Sequence, residues 1–131
     1  MKTLTSLCLL LILVLPATHA ADDPPVSGIP PELEGFKGMV TGELVKKKGA
    51  DQLDVKISGI KRTWKGNEAE QPEKAVGKTL TVDLSEVSDH HGERIRKEFA
   101  ALKVGDAIEV ELFDLGKKTL IVKEWLKKVE S

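Results

Sequence analysis

The sequence predicts a mostly β chain carrying one helix, on three observations. Five stretches beyond residue 36 alternate apolar and polar side chains with the period of two that a half-buried strand requires. One stretch, His91 to Leu102 (HGERIRKEFAAL), repeats instead with helical period and lies between the third and fourth of them. Glycine-containing turns separate the segments, and no internal repeat or second domain is apparent.

Residues 1–20 read as a secretory signal peptide. Lys2 supplies the positive start, Leu7 to Leu15 (LCLLLILVL) the apolar run broken by Pro16, and Thr18-His19-Ala20 a small-residue cleavage site. The run is shorter than the roughly 20 residues that cross a bilayer, so no transmembrane segment is expected after cleavage. The chain's one cysteine, Cys8, follows Leu7, which is not small, and precedes most of the apolar run, unlike a lipid-modified cysteine. Cleavage after Ala20 leaves Ala21 to Ser131 cysteine-free, so the domain must hold without a disulfide. Residues 21–35 (ADDPPVSGIPPELEG), with Pro24, Pro25, Pro30 and Pro31, read as a stiff extended leader without its own fold. The folded domain is expected over residues 36–131.

The first strand turns Gly38, Val40, Gly42 and Leu44 inward, and its glycines permit a sharp bend. Lys48-Gly49-Ala50-Asp51 is a hairpin turn. The second strand faces Leu53, Val55 and Ile57 in, with Asp54, Lys56 and Ser58 out, and then slips phase at Gly59, where a bulge is expected. Polar Lys65 to Gly77 leads to a third strand with Leu80, Val82 and Leu84 inward. The helix carries Ile95, Phe99 and Leu102 on one stripe, with Ser88 or Asp89 as its cap and Gly105 as its stop. Phe99 is the residue expected to close the core. A fourth strand buries Ile108, Val110 and Leu112, Asp114 to Lys118 turns, and Thr119 to Trp125 forms the fifth. Leu126 and Val129 are expected to add one amphipathic turn.

This strand and helix order resembles the OB-fold, a five-stranded Greek-key barrel of order β1-β2-β3-α-β4-β5, of the small kind that bacteria export. A competing SH3-like barrel lacks a helix of this length at this point. The OB-fold hosts many unrelated functions, so function must be argued from residues.

The resemblance implies nucleic-acid binding on the outer face of strands two and three. Here that face reads Asp54, Lys56, Ser58, Thr79, Thr81 and Asp83, with no aromatic on which a base could stack. A net charge of −1 adds no general attraction to polyanions, so nucleic acid is disfavoured. A sharper feature is Lys61-Arg62-Thr63-Trp64-Lys65, a basic cluster around one of two tryptophans. With Lys46, Lys47 and Lys48 of the first hairpin and Lys117 and Lys118 of the last, which the resemblance places beside the binding face, it forms a candidate rim for a protein or anionic partner. The alternative is that Trp64 plugs a barrel end and the lysines are solvated edges.

Asp89, His90, His91 and Glu93 offer a weak divalent-metal or small-ligand site, although adjacent histidines point apart and do not make the i, i+4 pair that grips one ion. Ser85, Ser88, Asp89 and His91 crowd one loop without a nucleophile elbow. Glu109 and Glu111 stand about 7 Å apart by strand rise, but on the convex outside of a barrel. No phosphate loop or dinucleotide fingerprint occurs. The expectation is an exported, non-enzymatic module without cofactor, acting in the periplasm or outside the cell. A structural envelope domain is the remaining alternative.

Overall fold

The computed structural model describes residues 28–129. The expected signal peptide over residues 1–20, Cys8 within it, and residues 21–27 of the leader lie outside the described residues.

Along the chain come β1 (Lys37–Lys48), β2 (Gln52–Thr63), β3 (Thr79–Asp83), α1 (Asp89–Ala101), β4 (Ala107–Phe113) and β5 (Leu120–Lys128). The strands close into a barrel in the spatial order β1-β2-β3-β5-β4. The helix carries the chain across, so β4 lands on the far edge of β1, with Lys37 opposite Phe113. β5 then fills the gap, antiparallel to β4 and parallel to β3. Spatial order therefore departs from chain order at the last two strands.

Inside are the rows the alternation selects. Val40 and Leu44 of β1, Leu53, Val55 and Ile57 of β2, Leu80 and Val82 of β3, and Ile108, Val110 and Leu112 of β4 are all buried in one cluster. The phase slip near Gly59 is present. Between the pairs Gly42–Ile57 and Thr41–Gly59 residue Ser58 is left over, and between Val40–Ile60 and Met39–Arg62 residue Lys61 is left over.

α1 starts at Asp89, two residues before the expected His91, and Ser88 takes the cap position with no hydrogen bond from its side chain. The expected side-chain cap is therefore absent. Ile95, fully buried, seats the helix in the core, whereas Phe99 keeps 7% of its surface exposed beneath the Lys47 ammonium. The helix ends at Ala101, and Gly105, at φ +97°, turns the chain into β4. The expected helical turn around Leu126 does not form. β5 continues to Lys128, Leu126 pairs with Val110 and is fully buried, and the Val129 N–H donates to the Ala107 carbonyl. An inward partner for Val110 outweighs the charged residues around Leu126.

Residues 28–35, the described end of the expected leader, are fastened to the barrel. Pro31–Leu33 makes a 3-10 turn, and Leu33 is fully buried. The Gly35 N–H donates to Asp114 Oδ2 at 2.7 Å, and Lys78 Nζ holds both Glu32 oxygens at 2.8 and 2.9 Å. The prolines set the turn, and burial of Leu33 holds it in place.

Candidate functional site

The outward face of β2 and β3 is closed by its own polar groups. Asp54, expected to face water, is only 2% exposed. Thr81 Oγ1 donates to Asp54 Oδ1 at 2.6 Å, and Lys48 Nζ reaches Thr81 Oγ1 at 3.3 Å and Asp54 Oδ1 at 3.4 Å. A buried carboxylate needs such partners, since its desolvation is otherwise uncompensated. Beside it, Asp83 accepts from Gln52 Nε2 at 3.3 Å and from the Ser85 N–H at 2.6 Å. Burial raises the Asp83 pKa, but the bonds from Ser85 and Gln52 outweigh it and hold the carboxyl below its usual range.

Strand register sets Lys48 of the expected basic rim at the opposite end of β1 from Trp64. Lys48 pairs with Gln52 at one end of the β1–β2 ladder and Gly38 with Thr63 at the other, ten residues along β1. At about 3.3 Å per residue this is roughly 30 Å of strand between Lys48 and the neighbourhood of Trp64. Lys48 is engaged by Asp54, Lys61 pairs with Glu109, and Lys117 lies 3.5 Å from Glu86. Lys118 is exposed in the last hairpin. What stays together is Arg62, Trp64 and Lys65 at the end of β2. The Arg62 guanidinium lies 5.7 Å from the Trp64 ring, within cation–π range, and no carboxylate comes within 4 Å of it among the described residues. The Trp64 N–H of the backbone donates to Lys37 O at 2.8 Å and Asn67 N to Trp64 O at 3.0 Å, which fixes the chain as it leaves the strand. Trp64 itself is half-buried, and its indole N–H is buried without an acceptor among the described residues.

Trp125 is the residue sequence reasoning missed. The pairing of Thr41 with Glu109 carries that carboxylate between Lys61 of β2 and Trp125 of β5. Lys61 Nζ donates to Glu109 Oε2, and Trp125 Nε1 donates to Oε1 at 3.0 Å. Arg94 of α1 lies 5.6 Å from the Trp125 ring on the helix side and Lys127 at 6.0 Å. The available signal was parity: Trp125 precedes the inward Leu126 and so faces out beside the outward Glu109.

The two tryptophans are expected to answer one substitution differently. Trp64→Phe removes an unpartnered buried donor, whose desolvation costs about 1–3 kcal/mol, and should leave stability within about 1 kcal/mol of the parent. Trp125→Phe breaks a bond to a charged acceptor and should cost about 1.5–3 kcal/mol. Urea unfolding of both variants checks this, and equal losses would refute it.

Glu109 also predicts a pH response. The Lys61 hydrogen bond, helped by Trp125, holds its carboxyl below the usual range against the opposing effect of partial burial. A carboxyl lowered by folding contributes stability above its unfolded pKa, near 4.5, and that contribution is lost as pH falls through the folded value. Glu109→Gln keeps an acceptor for Trp125 but no charge, so its melting temperature should fall less steeply than the parent's between about pH 6 and about pH 3. Parallel pH profiles would exclude a role for this carboxylate.

Asp89, His90, His91 and Glu93 are not assembled into a metal site. Among the described residues no three His, Cys, Asp or Glu side chains converge to hold an ion. The His90 and His91 rings meet edge to face at 4.7 Å, and His91 Nδ1 accepts from Arg94 Nη2 at 3.3 Å while its Nε2 stands 3.7 Å from Glu124 Oε1. Arg94 also donates to the Glu124 carbonyl at 2.8 Å, so these groups tie α1 to β5. Ser88 and the helix start separate Ser85 from His91, and Glu109 is occupied by Lys61 and Trp125. No helix of the described residues is long and apolar enough to cross a membrane. No protein-family model matches the sequence, and no curated protein matches it.

Proposed function

We propose that this chain is an exported, non-enzymatic binding module of OB-fold type that contacts a protein or anionic partner through the Arg62 end of β2. The five-stranded ring with α1 between β3 and β4 supports the OB-fold reading. The charged start, apolar run and small-residue cleavage site of residues 1–20 support export, to the periplasm or beyond the cell. One observation carries the contact surface: a guanidinium laid over an indole, with no carboxylate within 4 Å among the described residues, beside the exposed Lys65. Such a pair offers a flat cation backed by an aromatic ring, the type of group that anchors interfaces.

The test is a crosslinking pull-down of the mature protein from its native envelope, with Arg62→Glu beside the parent. Arg62 is exposed, so its reversal tests contact without disturbing the core, as a change at half-buried Trp64 would. Capture by Arg62→Glu is expected to drop at least about thirtyfold, the size of a hot-spot loss. Undiminished capture by a folded variant would refute the assignment.

A further inference from the structure

β2 is much longer than the strand beside it. β3 pairs with Gln52 to Lys56 of β2, and the last backbone bonds on that side are Ile57 N to Lys78 O and Gly77 N to Ile57 O. From Ser58 to Thr63 β2 is paired with β1 alone among the described residues. The chain then swings outward and returns through the 3-10 turn Pro72–Ala75, leaving an open groove of about 520 Å³ along this edge. Gly59, Ile60, Arg62 and Thr63 form its strand wall, and the connector forms the other.

We propose that this edge takes up an extended peptide as a further β-strand, the peptide alternating acidic and apolar residues. This deepens the partner-binding reading above and rests on it. An unpaired strand edge supplies main-chain donors and acceptors, and adjoining side chains select the peptide's alternate residues. Ile60 is opposite the inward Val40 and only partly buried, and across the groove Val76 is 46% exposed beside the buried Ala69 and Pro72, so one row of the peptide meets Val76 and the uncovered part of Ile60. Glu70 and Glu73 on the same wall repel an acidic residue in that row. Arg62 is opposite the outward Met39 and has no carboxylate within 4 Å among the described residues, so the acidic residues belong in the outward row. A second copy of this chain fits poorly, because antiparallel pairing of two such edges sets Lys61 and Arg62 against their own likes.

The probe is an acetylated, amidated hexapeptide of alternating glutamate and valine, titrated calorimetrically. Two isomers accompany it, N-methylated at every valine or at every glutamate. Their side chains are the same, but each lacks donors along one edge only. Strand addition requires one isomer to bind at least tenfold more weakly than the other, amide exchange of Ile60 to Thr63 to slow on binding, and Val76→Glu to weaken binding. Equal affinity of the two isomers, unchanged exchange at those amides, or no binding by the parent overturns the proposal. So does dimerisation that protects the same amides without peptide. Envelope capture that remains sensitive to Arg62→Glu while the hexapeptide fails removes strand addition and leaves the contact surface standing; loss of both removes both.

Discussion

Phe36→Ala is expected to lower the unfolding free energy by about 3–5 kcal/mol, a large part of what a domain of this size has. Phe36 is fully buried and is the largest of the fully buried side chains. It sits at the entrance to β1, where its N–H donates to the Leu33 carbonyl at 3.0 Å and its own carbonyl accepts from Asp114 at 2.9 Å. Removing the ring opens a void between the Pro31–Leu33 turn and the barrel mouth, which neighbours fixed by these bonds cannot fill. Phe99→Ala should cost less, because Phe99, although buried, keeps 7% of its surface open beneath Lys47 whereas Phe36 keeps none. Urea unfolding of the two variants orders them, and a larger loss at Phe99 would show that the helix, not the β1 entrance, closes the core.

Gly42→Ala should cost about 3 kcal/mol for the opposite reason, too little room. A Cβ at Gly42 would stand 2.6 Å from the Lys56 carbonyl oxygen and 2.6 Å from Val55 Cγ1, so the backbone of β2 would have to withdraw. Gly42 lies where β1 curls from one side of the barrel to the other, pairing with Ile57 of β2 and Ile108 of β4. Gly59→Ala is the control. Its Cβ would meet only Thr41 Oγ1, at 3.1 Å, and a small turn of the Thr41 side chain relieves this at the expense of its long contacts with Ser58 Oγ, 3.2 Å, and the Gly59 carbonyl, 3.5 Å. A loss under about 1 kcal/mol is expected there. Equal losses at both glycines, measured by thermal unfolding, would mean that chain flexibility, not steric room, sets the requirement.

Much of this was legible because a strand's period is rigid. Val40, Leu44, Leu53, Val55, Ile57, Ile108 and Val110 fall inward wherever the strands are placed, since a shift of one residue would turn each row to water. The bulge near Gly59 was legible for the same reason, as a break in parity. Two elements were not. Leu126 looked like part of a charged tail until the pairing with Val110 drew it inward, and Leu33 looked like part of a leader until the barrel mouth buried it.

The candidate site divides in the same way. Lys61, Arg62, Trp64 and Lys65 are adjacent in sequence, so their common neighbourhood is a local fact. Their relation to Lys48, Lys117 and Lys118 depends on strand register, which sets Lys48 at the far end of the ladder. Trp125 joins Glu109 and Lys61 only because β4 pairs with both β1 and β5.

By itself, then, the sequence determined which residues form strands and helix and which side of each faces inward, because side-chain period and turn chemistry act over a few residues. Only the tertiary structure decided the ring order, the burial of Asp54, the separation of the lysines and the free edge of β2. Those depend on which distant segments meet, and hydrogen bonds and charges across strands are made or left open only once they do.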